Sequence, residues 1–324
     1  MTTSRSVALL FPGQGAQHTR MAAGLYQREA VFTETMDDLF ALLGAEGARL
    51  RADWLAERPL VPIDESARAQ PLLFAVGYAL GRQVLSWGVR PVALLGHSIG
   101  EMAAVTLAGV FTPADALRLV VDRVARVADA PPGGMLAVAA TVEDLDPVLE
   151  VHPDVVVGAV NAPRQTVLAG LAEPLLMVAQ ALRDKGFTCR TVPATSPFHS
   201  PALGFTVPGS ARAFAGVPVR APEIPVYSAY TAGRLGEREI GDPGFWASHP
   251  VAPVLFRPAL DALLADGDHL LAEAGPGQGL AKLARNHPAV RSGRSAVVAL
   301  LPPRPGPPEA DVAALRLAEE RLRG

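Results

Sequence analysis

A serine at the centre of a Gly-x-Ser-x-Gly pattern is the residue of this chain best suited to nucleophilic chemistry. Residues 94–101 read Leu-Leu-Gly-His-Ser-Ile-Gly-Glu, after an apolar run over 91–95 and before a small-residue helical stretch over 102–109. This pattern predicts a strand and a helix joined by a turn so tight that it requires glycine. Such a turn would lift the Ser98 hydroxyl above a sheet, with the N-terminus of the helix pointing at it. Backbone amides there, including that of Ile99, would stabilise an oxyanion. The pattern therefore favours a catalytic nucleophile over an ordinary glycine-rich turn.

Strands and helices alternate around Ser98. Apolar runs predict strands at 7–11, 91–95, 224–228 and 270–273, and helical patterns cover 21–43, 71–87 and 113–128. Alternation of this kind implies a mostly parallel sheet covered by helices, with its active site at the carboxyl ends of the strands. We therefore predict an α/β fold with a large catalytic domain.

A second pattern interrupts that domain. The predicted elements are strand 135–140, helix 142–150, strands 155–160 and 165–169, helix 173–185 and strand 187–192. This β-α-β-β-α-β order is that of a ferredoxin-like unit. We therefore predict a small subdomain over 131–194, inserted in a large domain formed by 1–130 and 195–300, with a Pro-rich linker and a C-terminal helix in 301–324.

Composition excludes several classes of function. The net charge of −3 and the scattered basic residues give no sign of a nucleic-acid surface. No apolar run is long enough to span a membrane, and no signal peptide pattern is present. The single cysteine, Cys189, excludes an internal disulfide framework and suits a reducing compartment. Since the seven histidines also lack metal-ligand spacing, we expect a cytoplasmic protein with no membrane partner, nucleic-acid partner or metal site.

Four motifs occur in the order found in one known family. They are Pro-Gly-Gln-Gly-Ala-Gln at 12–17, Gly-His-Ser-Ile-Gly-Glu at 96–101, Pro-Phe-His-Ser at 197–200 and Glu-Ala-Gly-Pro-Gly at 273–277. Together they resemble the malonyl-CoA:acyl carrier protein transacylases and the acyltransferase domains of polyketide synthases. Each motif alone is weak, but the ordered set is specific and covers nearly the whole chain to about residue 300. The resemblance implies an α/β-hydrolase-like large domain with the inserted ferredoxin-like subdomain.

The resemblance also implies a Ser-His dyad. Ser98 would attack a thioester, and His199 would take its proton and later activate a carrier-protein thiol. The amides of Gln14 and Ile99 would form the oxyanion hole, where neighbouring glycines let the backbone approach the substrate carbonyl. In this family a backbone carbonyl orients the histidine, and the matching position is His249.

Other matching positions concern the acyl group. Arg123 matches the family arginine whose guanidinium binds the free carboxylate of a malonyl group, although a helical arginine is more often solvated. Phe198 before the histidine and Ile99 after the serine match malonyl-selective members. His97 completes the expected substrate-binding set of Arg123, Phe198 and His249. Three segments around the acyl pocket depart from the usual family pattern. They are Ser-Pro at 196–197, the Gly- and Pro-containing segment 204–209 and the stretch 126–129.

We therefore predict a discrete, monomeric acyltransferase of polyketide or fatty acid biosynthesis. It would move a malonyl-type group from CoA through a Ser98 acyl-enzyme to the phosphopantetheine thiol of a separate acyl carrier protein, with no bound cofactor. Four alternatives stay open: transfer of a bulkier acyl or aminoacyl group between two carrier proteins, editing hydrolysis of an acylated carrier, an ordinary α/β-hydrolase esterase, and an inactive docking module. An esterase would want an acidic triad member, and the intact Ser98, His199 and Gln14 argue against a docking module.

Overall fold

The computed structural model describes residues 5–194 and 196–324. The start of the chain at 1–4 and the predicted domain boundary at residue 195 lie outside these ranges. The strands are β1 (Ser6–Phe11), β2 (Ala93–Gly96), β3 (Gly133–Val138), β4 (Val155–Ala162), β5 (Gln165–Leu171), β6 (Cys189–Thr191), β7 (Val226–Ser228), β8 (Gly233–Arg234), β9 (His269–Glu273) and β10 (Ala296–Ala299).

The α-helices follow the chain between and after these strands. They are α1 (Ala30–Leu42), α2 (Gly44–Leu55), α3 (Ser66–Ser86), α4 (Ile99–Leu107), α5 (Pro113–Val127), α6 (Val142–Leu149), α7 (Ala172–Asp184), α8 (Val207–Ala215), α9 (Glu237–Gly241), α10 (Pro243–Ser248), α11 (Phe256–Ala265), α12 (Gly279–Arg285), α13 (Pro288–Arg291) and α14 (Pro308–Arg323). A 3₁₀ helix spans Pro201–Thr206. In the ranges that the structure describes, no helix is long and apolar enough to cross a membrane.

The large sheet has the strand order β10-β9-β1-β2-β7-β8. Its strands run parallel except for β8, which pairs antiparallel with β7. Leu9 and Leu94 face one hydrophobic cluster, while Leu10 and Leu95 face another on the opposite side. Because successive strand residues point to opposite faces, a sheet buried on both sides needs the near-continuous apolar strands seen in this sequence. The predicted α/β fold with a mostly parallel sheet is confirmed.

The second sheet has the order β4-β5-β3-β6, and each of its neighbouring pairs is antiparallel. With α6 and α7 between the strands, this is the topology of the predicted ferredoxin-like unit. A separate apolar cluster that includes Leu136, Leu145, Leu168 and Val178 forms its core. One face of this sheet therefore packs around its own interior, while Met135, Val167 and Ala169 on the other face join the cluster that contains Leu10 and Leu95 of the large sheet.

Some predicted elements differ from the structure. The helix predicted over 21–43 begins only at Ala30, and residues 21–29 form turns in which Ala22 and Gln27 have positive φ. Left-handed backbone angles interrupt a right-handed helix. The segment 204–209, which departs from the family pattern, contains the junction between the 3₁₀ helix and α8, and Pro208 lies in the first turn of α8. A proline there sacrifices no helical hydrogen bond.

Candidate active site

The turn that carries Ser98 is as short as the sequence predicts. Strand β2 ends at Gly96 and α4 begins at Ile99, and Ser98 has φ 54° and ψ −122°. Such angles are rare for a residue other than glycine and are typical of functional turns. A Cβ atom at Gly96 would lie 2.2 Å from the Cα of Glu101, and one at Gly100 would lie 2.1 Å from the carbonyl oxygen of Phe11. The two glycines are therefore required by close backbone approach.

Ser98 and His199, 101 residues apart in the chain, form a hydrogen-bonded pair. The Oγ atom of Ser98 lies 2.8 Å from Nε2 of His199. The other ring nitrogen, Nδ1, lies 3.1 Å from the carbonyl oxygen of His249 and 3.0 Å from that of Ala252. Since carbonyl oxygens only accept hydrogen bonds, Nδ1 carries the proton and the lone pair of Nε2 faces the serine hydroxyl.

The environment of His199 keeps its imidazole neutral. Burial, with smaller contributions from the neighbouring His97 and Arg123, lowers the pKa of His199 to about 4 against the opposing effect of the two carbonyls. The backbone of His199 is also held, because its N–H donates to the carbonyl of Pro250 at 2.6 Å. At neutral pH the ring is therefore an unprotonated base in a constrained position.

The loop after β1 lies against the Ser98 turn. A Cβ atom at Gly13 would lie 2.5 Å from the carbonyl oxygen of His97 and 3.1 Å from Cβ of Ser98. The side chain of Gln17 braces the loop by accepting from the Gly15 amide at 2.6 Å. Within residues 5–194 and 196–324, the Gln14 amide has no backbone or side-chain acceptor. The Ile99 amide belongs to the first turn of α4, whose N–H groups have no partner within the helix.

A cleft of about 540 Å³ lies between the large domain and the small subdomain. Predicted site residues that line it are Gln14, His97, Ser98, Phe198 and His199. Residues of β3, β5 and β6, among them Met135, Val167 and Arg190, form the opposite wall.

The side chain of His97 joins the two parts of the chain across this cleft. Its Nε2 donates to Oδ1 of Asn161 on β4 at 2.8 Å. This contact fixes the small subdomain against the Ser98 turn, whereas the sequence marks Asn161 only as a residue of the turn between two strands.

Arg123 is buried behind the cleft rather than in its wall. It lies on the inner face of α5 and is 7% exposed, whereas Arg126 pairs with Asp122 at 2.6 Å. Among the described residues, Arg123 forms no ion pair and donates no hydrogen bond. Its charge nevertheless acts on the pKa of His199, His249 and Tyr230. Arg123 therefore lies close enough to the dyad for its charge to act on the pKa of His199, and it has no carboxylate partner of its own among the described residues.

The carboxyl of Glu101 acts on the pKa of Arg123 but forms no ion pair with it among the described residues. Burial raises the pKa of Glu101 to about 8, although hydrogen bonds and the Arg123 charge oppose this rise. Glu101 accepts from the Ser228 hydroxyl at 2.6 Å and from the Ala229 amide at 3.1 Å.

Tyr230 is the site residue that sequence reasoning missed most clearly. It follows β7, and its ring stacks on that of His249 at 3.7 Å and 13°. Neither residue lines the cleft; both lie on the side of Arg123. A signal was present, because residues just past the carboxyl end of a parallel strand often form the site. No group of three or more His, Cys, Asp or Glu residues in the described ranges is arranged to hold a metal ion.

The fold and the Ser98 turn define an α/β enzyme of the acyltransferase class. Residues 8–301 match the family model described as acyl transferase domain, and the chain belongs to this family. In sequence it is 37% identical, over 287 residues, to a phenolphthiocerol/phthiocerol polyketide synthase of Mycobacterium tuberculosis. That match covers 88% of this chain and 19% of the relative.

Two further relatives support the assignment. Polyketide synthase GfsB of Streptomyces halstedii is 36% identical over 284 residues, which cover 86% of this chain and 5% of the relative. The acyltransferase domain from the second module of the salinomycin polyketide synthase is 33% identical with a TM-score of 0.89, covering 99% of this chain and 74% of that one. The chain thus spans less than a fifth of the length of these curated synthases.

Proposed function

We propose that this chain transfers a malonyl-type acyl group from a CoA thioester to the phosphopantetheine thiol of an acyl carrier protein, through an ester on Ser98. The observation that carries the proposal is the 2.8 Å hydrogen bond between Ser98 and the neutral His199. Family relatives of this chain include an acyltransferase domain of a polyketide synthase, which supports a role in polyketide or fatty acid biosynthesis.

The first half-reaction acylates the serine. As Oγ of Ser98 attacks the thioester carbon, Nε2 of His199 takes the hydroxyl proton. The carbonyl electron pair moves onto oxygen, where the amides of Gln14 and Ile99 would donate to it. When this intermediate collapses, the carbon–sulfur bond breaks and His199 returns the proton to the departing CoA sulfur.

The second half-reaction reverses these roles. His199 removes the proton of the carrier thiol, the sulfur attacks the ester carbon, and Ser98 leaves and regains the proton. The products are free CoA and the acylated carrier protein, with no net oxidation. In place of the acid that an esterase triad would use, the carbonyls of His249 and Ala252 face Nδ1 of His199.

The acyl group would be selected by its negative charge. Arg123 is a buried guanidinium with no carboxylate partner among the described residues, and burying an unpaired charge is unfavourable. The free carboxylate of a malonyl group would supply the missing partner in bidentate geometry. Phe198, buried in the cleft wall beside His199, would limit the space for a branch at the α-carbon.

Intact-protein mass spectrometry tests the proposal directly. The chain is mixed with malonyl-CoA, acetyl-CoA, a malonylated carrier protein or an aminoacylated carrier protein. The mass of any covalent adduct is then measured in wild type and in Ser98→Ala. A malonyl adduct from malonyl-CoA, absent in the variant and passed on to added carrier protein, is the expected result. An adduct from an acylated carrier alone would mean carrier-to-carrier transfer, and release of free acid without an adduct would mean editing hydrolysis.

A further inference from the structure

We infer that Tyr230 is a specificity-determining residue whose hydroxyl donates a hydrogen bond to the carboxylate of the acyl group held beside Arg123. This inference rests on the proposed function and assigns a second donor to its acyl subsite.

The backbone before Tyr230 is tied to the helix that begins beside the nucleophile. The Tyr230 amide donates to Oγ of Ser228 at 3.0 Å, and this hydroxyl donates to Glu101 at 2.6 Å. The Ala229 amide donates to the same carboxyl at 3.1 Å. Glu101 lies in the first turn of α4, three residues after Ser98. One helical turn therefore positions both the nucleophile and the segment that carries Tyr230.

The ring of Tyr230 is held as firmly as its backbone. It stacks on His249 at 3.7 Å, and its centroid lies 6.3 Å from that of His199. Phe245 packs edge-on against the His249 ring, with ring centroids 4.9 Å apart and an interplanar angle of 88°. Since the carbonyl of His249 orients His199, the phenol has a defined position relative to the dyad.

The hydroxyl of Tyr230 has no partner of good hydrogen-bond geometry in the part of the chain that the structure describes. Its Oη is buried and, among the described residues, takes part in no hydrogen bond of acceptable distance and angle. Burial and the charge of Glu101 raise the pKa of Tyr230, against the charge of Arg123 and a weak interaction with the Ser98 hydroxyl that falls short of hydrogen-bond geometry. The phenol therefore remains a protonated donor at neutral pH, close to the serine and to the guanidinium.

A carboxylate is the ligand that these two donors fit. Tyr230 Oη and the Arg123 guanidinium are both buried donors without a protein acceptor in the described ranges. A carboxylate offers about four lone-pair sites, enough for a guanidinium and a phenol together. An uncharged acetyl group has no acceptor for these donors apart from its thioester carbonyl. Tyr230 and Arg123 would therefore favour malonyl over acetyl groups through the free carboxylate of malonyl.

The test compares Tyr230→Phe with wild type and with Tyr227→Phe. Tyr227, three residues earlier, donates its hydroxyl to Asp266 and provides the matched loss of a phenol hydroxyl away from the site. Rates of Ser98 acylation by malonyl-CoA and acetyl-CoA are measured by rapid quench and intact mass. In Tyr230→Phe the malonyl rate should fall roughly 10- to 150-fold, as expected for a lost hydrogen bond to a charged group. The acetyl rate should stay within about twofold, and Tyr227→Phe should change neither.

Two outcomes overturn the inference: malonyl and acetyl rates that fall together in Tyr230→Phe, or malonyl selectivity that does not change. An uncharged fluorophosphonate that labels Ser98 shows in each variant that the dyad is intact. If wild type reacts with this probe but forms no malonyl adduct, the proposed function fails and the inference fails with it. If wild type forms the adduct and Tyr230→Phe keeps the selectivity, the inference alone is wrong.

Discussion

The two sides of Ser98 differ in how completely the protein satisfies its own polar groups. On the dyad side, His199 bonds to Ser98 through one ring nitrogen and to two backbone carbonyls through the other. On the side that we propose binds the acyl group, among the described residues, Arg123 has no ion pair, and the hydroxyl of Tyr230 and both ring nitrogens of His249 have no hydrogen bond of good geometry.

This contrast separates groups that the protein positions in advance from groups that await a ligand. A base and a nucleophile work best when their geometry exists before the substrate binds. A subsite for a charged group instead needs donors without internal partners, and each unsatisfied buried group costs about 1–3 kcal/mol of stability. Such local violations of good packing are expected at functional sites.

The largest expected effect comes from removing Ser98, which lies between the two sides. Ser98→Ala should abolish formation of the covalent acyl adduct, because the dyad then has no nucleophile. Intact-protein mass after incubation with malonyl-CoA measures it. Ser295→Ala is the control, since this buried serine precedes β10 at the opposite end of the sheet and accepts only from the His269 amide at 3.0 Å. An adduct that persists in Ser98→Ala would show that another residue is acylated.

The next effect tests the dyad side. His199→Ala should slow acylation roughly 10²- to 10⁴-fold, the usual loss when a general base is removed. Single-turnover rates at neutral pH measure the change for malonyl-CoA and acetyl-CoA. Both donors should slow equally, because the base acts on the serine and not on the acyl group. His152→Ala, outside the cleft, serves as control, and a near-normal rate in His199→Ala would rule out this base.

A smaller effect tests the acyl side. Arg123→Ala should slow malonyl transfer roughly 10- to 150-fold, because a charge-assisted hydrogen-bonded pair is lost. The acetyl rate should not fall, which distinguishes this variant from His199→Ala. Competition between the two CoA esters, read as the ratio of adducts on Ser98, measures the difference. Arg126→Ala, which breaks only the pair with Asp122, is the matched control, and an equal adduct ratio in Arg123→Ala and wild type would make Arg123 structural.

The smallest expected effect is the absence of a pH response. Because burial lowers the pKa of His199 to about 4, the imidazole stays neutral well below the 6.5 of an ordinary histidine. The acylation rate at low malonyl-CoA should therefore be constant from pH 7.5 to about 5.5, with its acid midpoint near 4. Brief pH jumps with rapid quenching measure the profile. A midpoint between 6 and 7 would mean that the dyad is more open to water than its burial indicates.

Much of the fold could be predicted because its signals are local. Gly96 and Gly100 mark a turn that no other residue fits, and apolar runs mark β1, β2 and β9 as buried strands. Elements with weak local signals were missed. The four residues of β10 are too few to distinguish a strand by periodicity, and α2 follows α1 after a single intervening residue.

The sequence by itself determined the Ser98 turn, most strands of the two sheets and the family, since each depends on residue types at short spacing. Only the tertiary structure decided what surrounds that turn. It brought the carbonyl of Ala252 to His199, Asn161 to His97, and Tyr230 to His249, all pairs of residues that the linear pattern does not connect. Whether a polar group finds a partner depends on how strands and helices pack. A missing partner therefore has no signature in the sequence, and here that absence distinguishes the proposed acyl subsite from the hydrogen-bonded pair of Ser98 and His199.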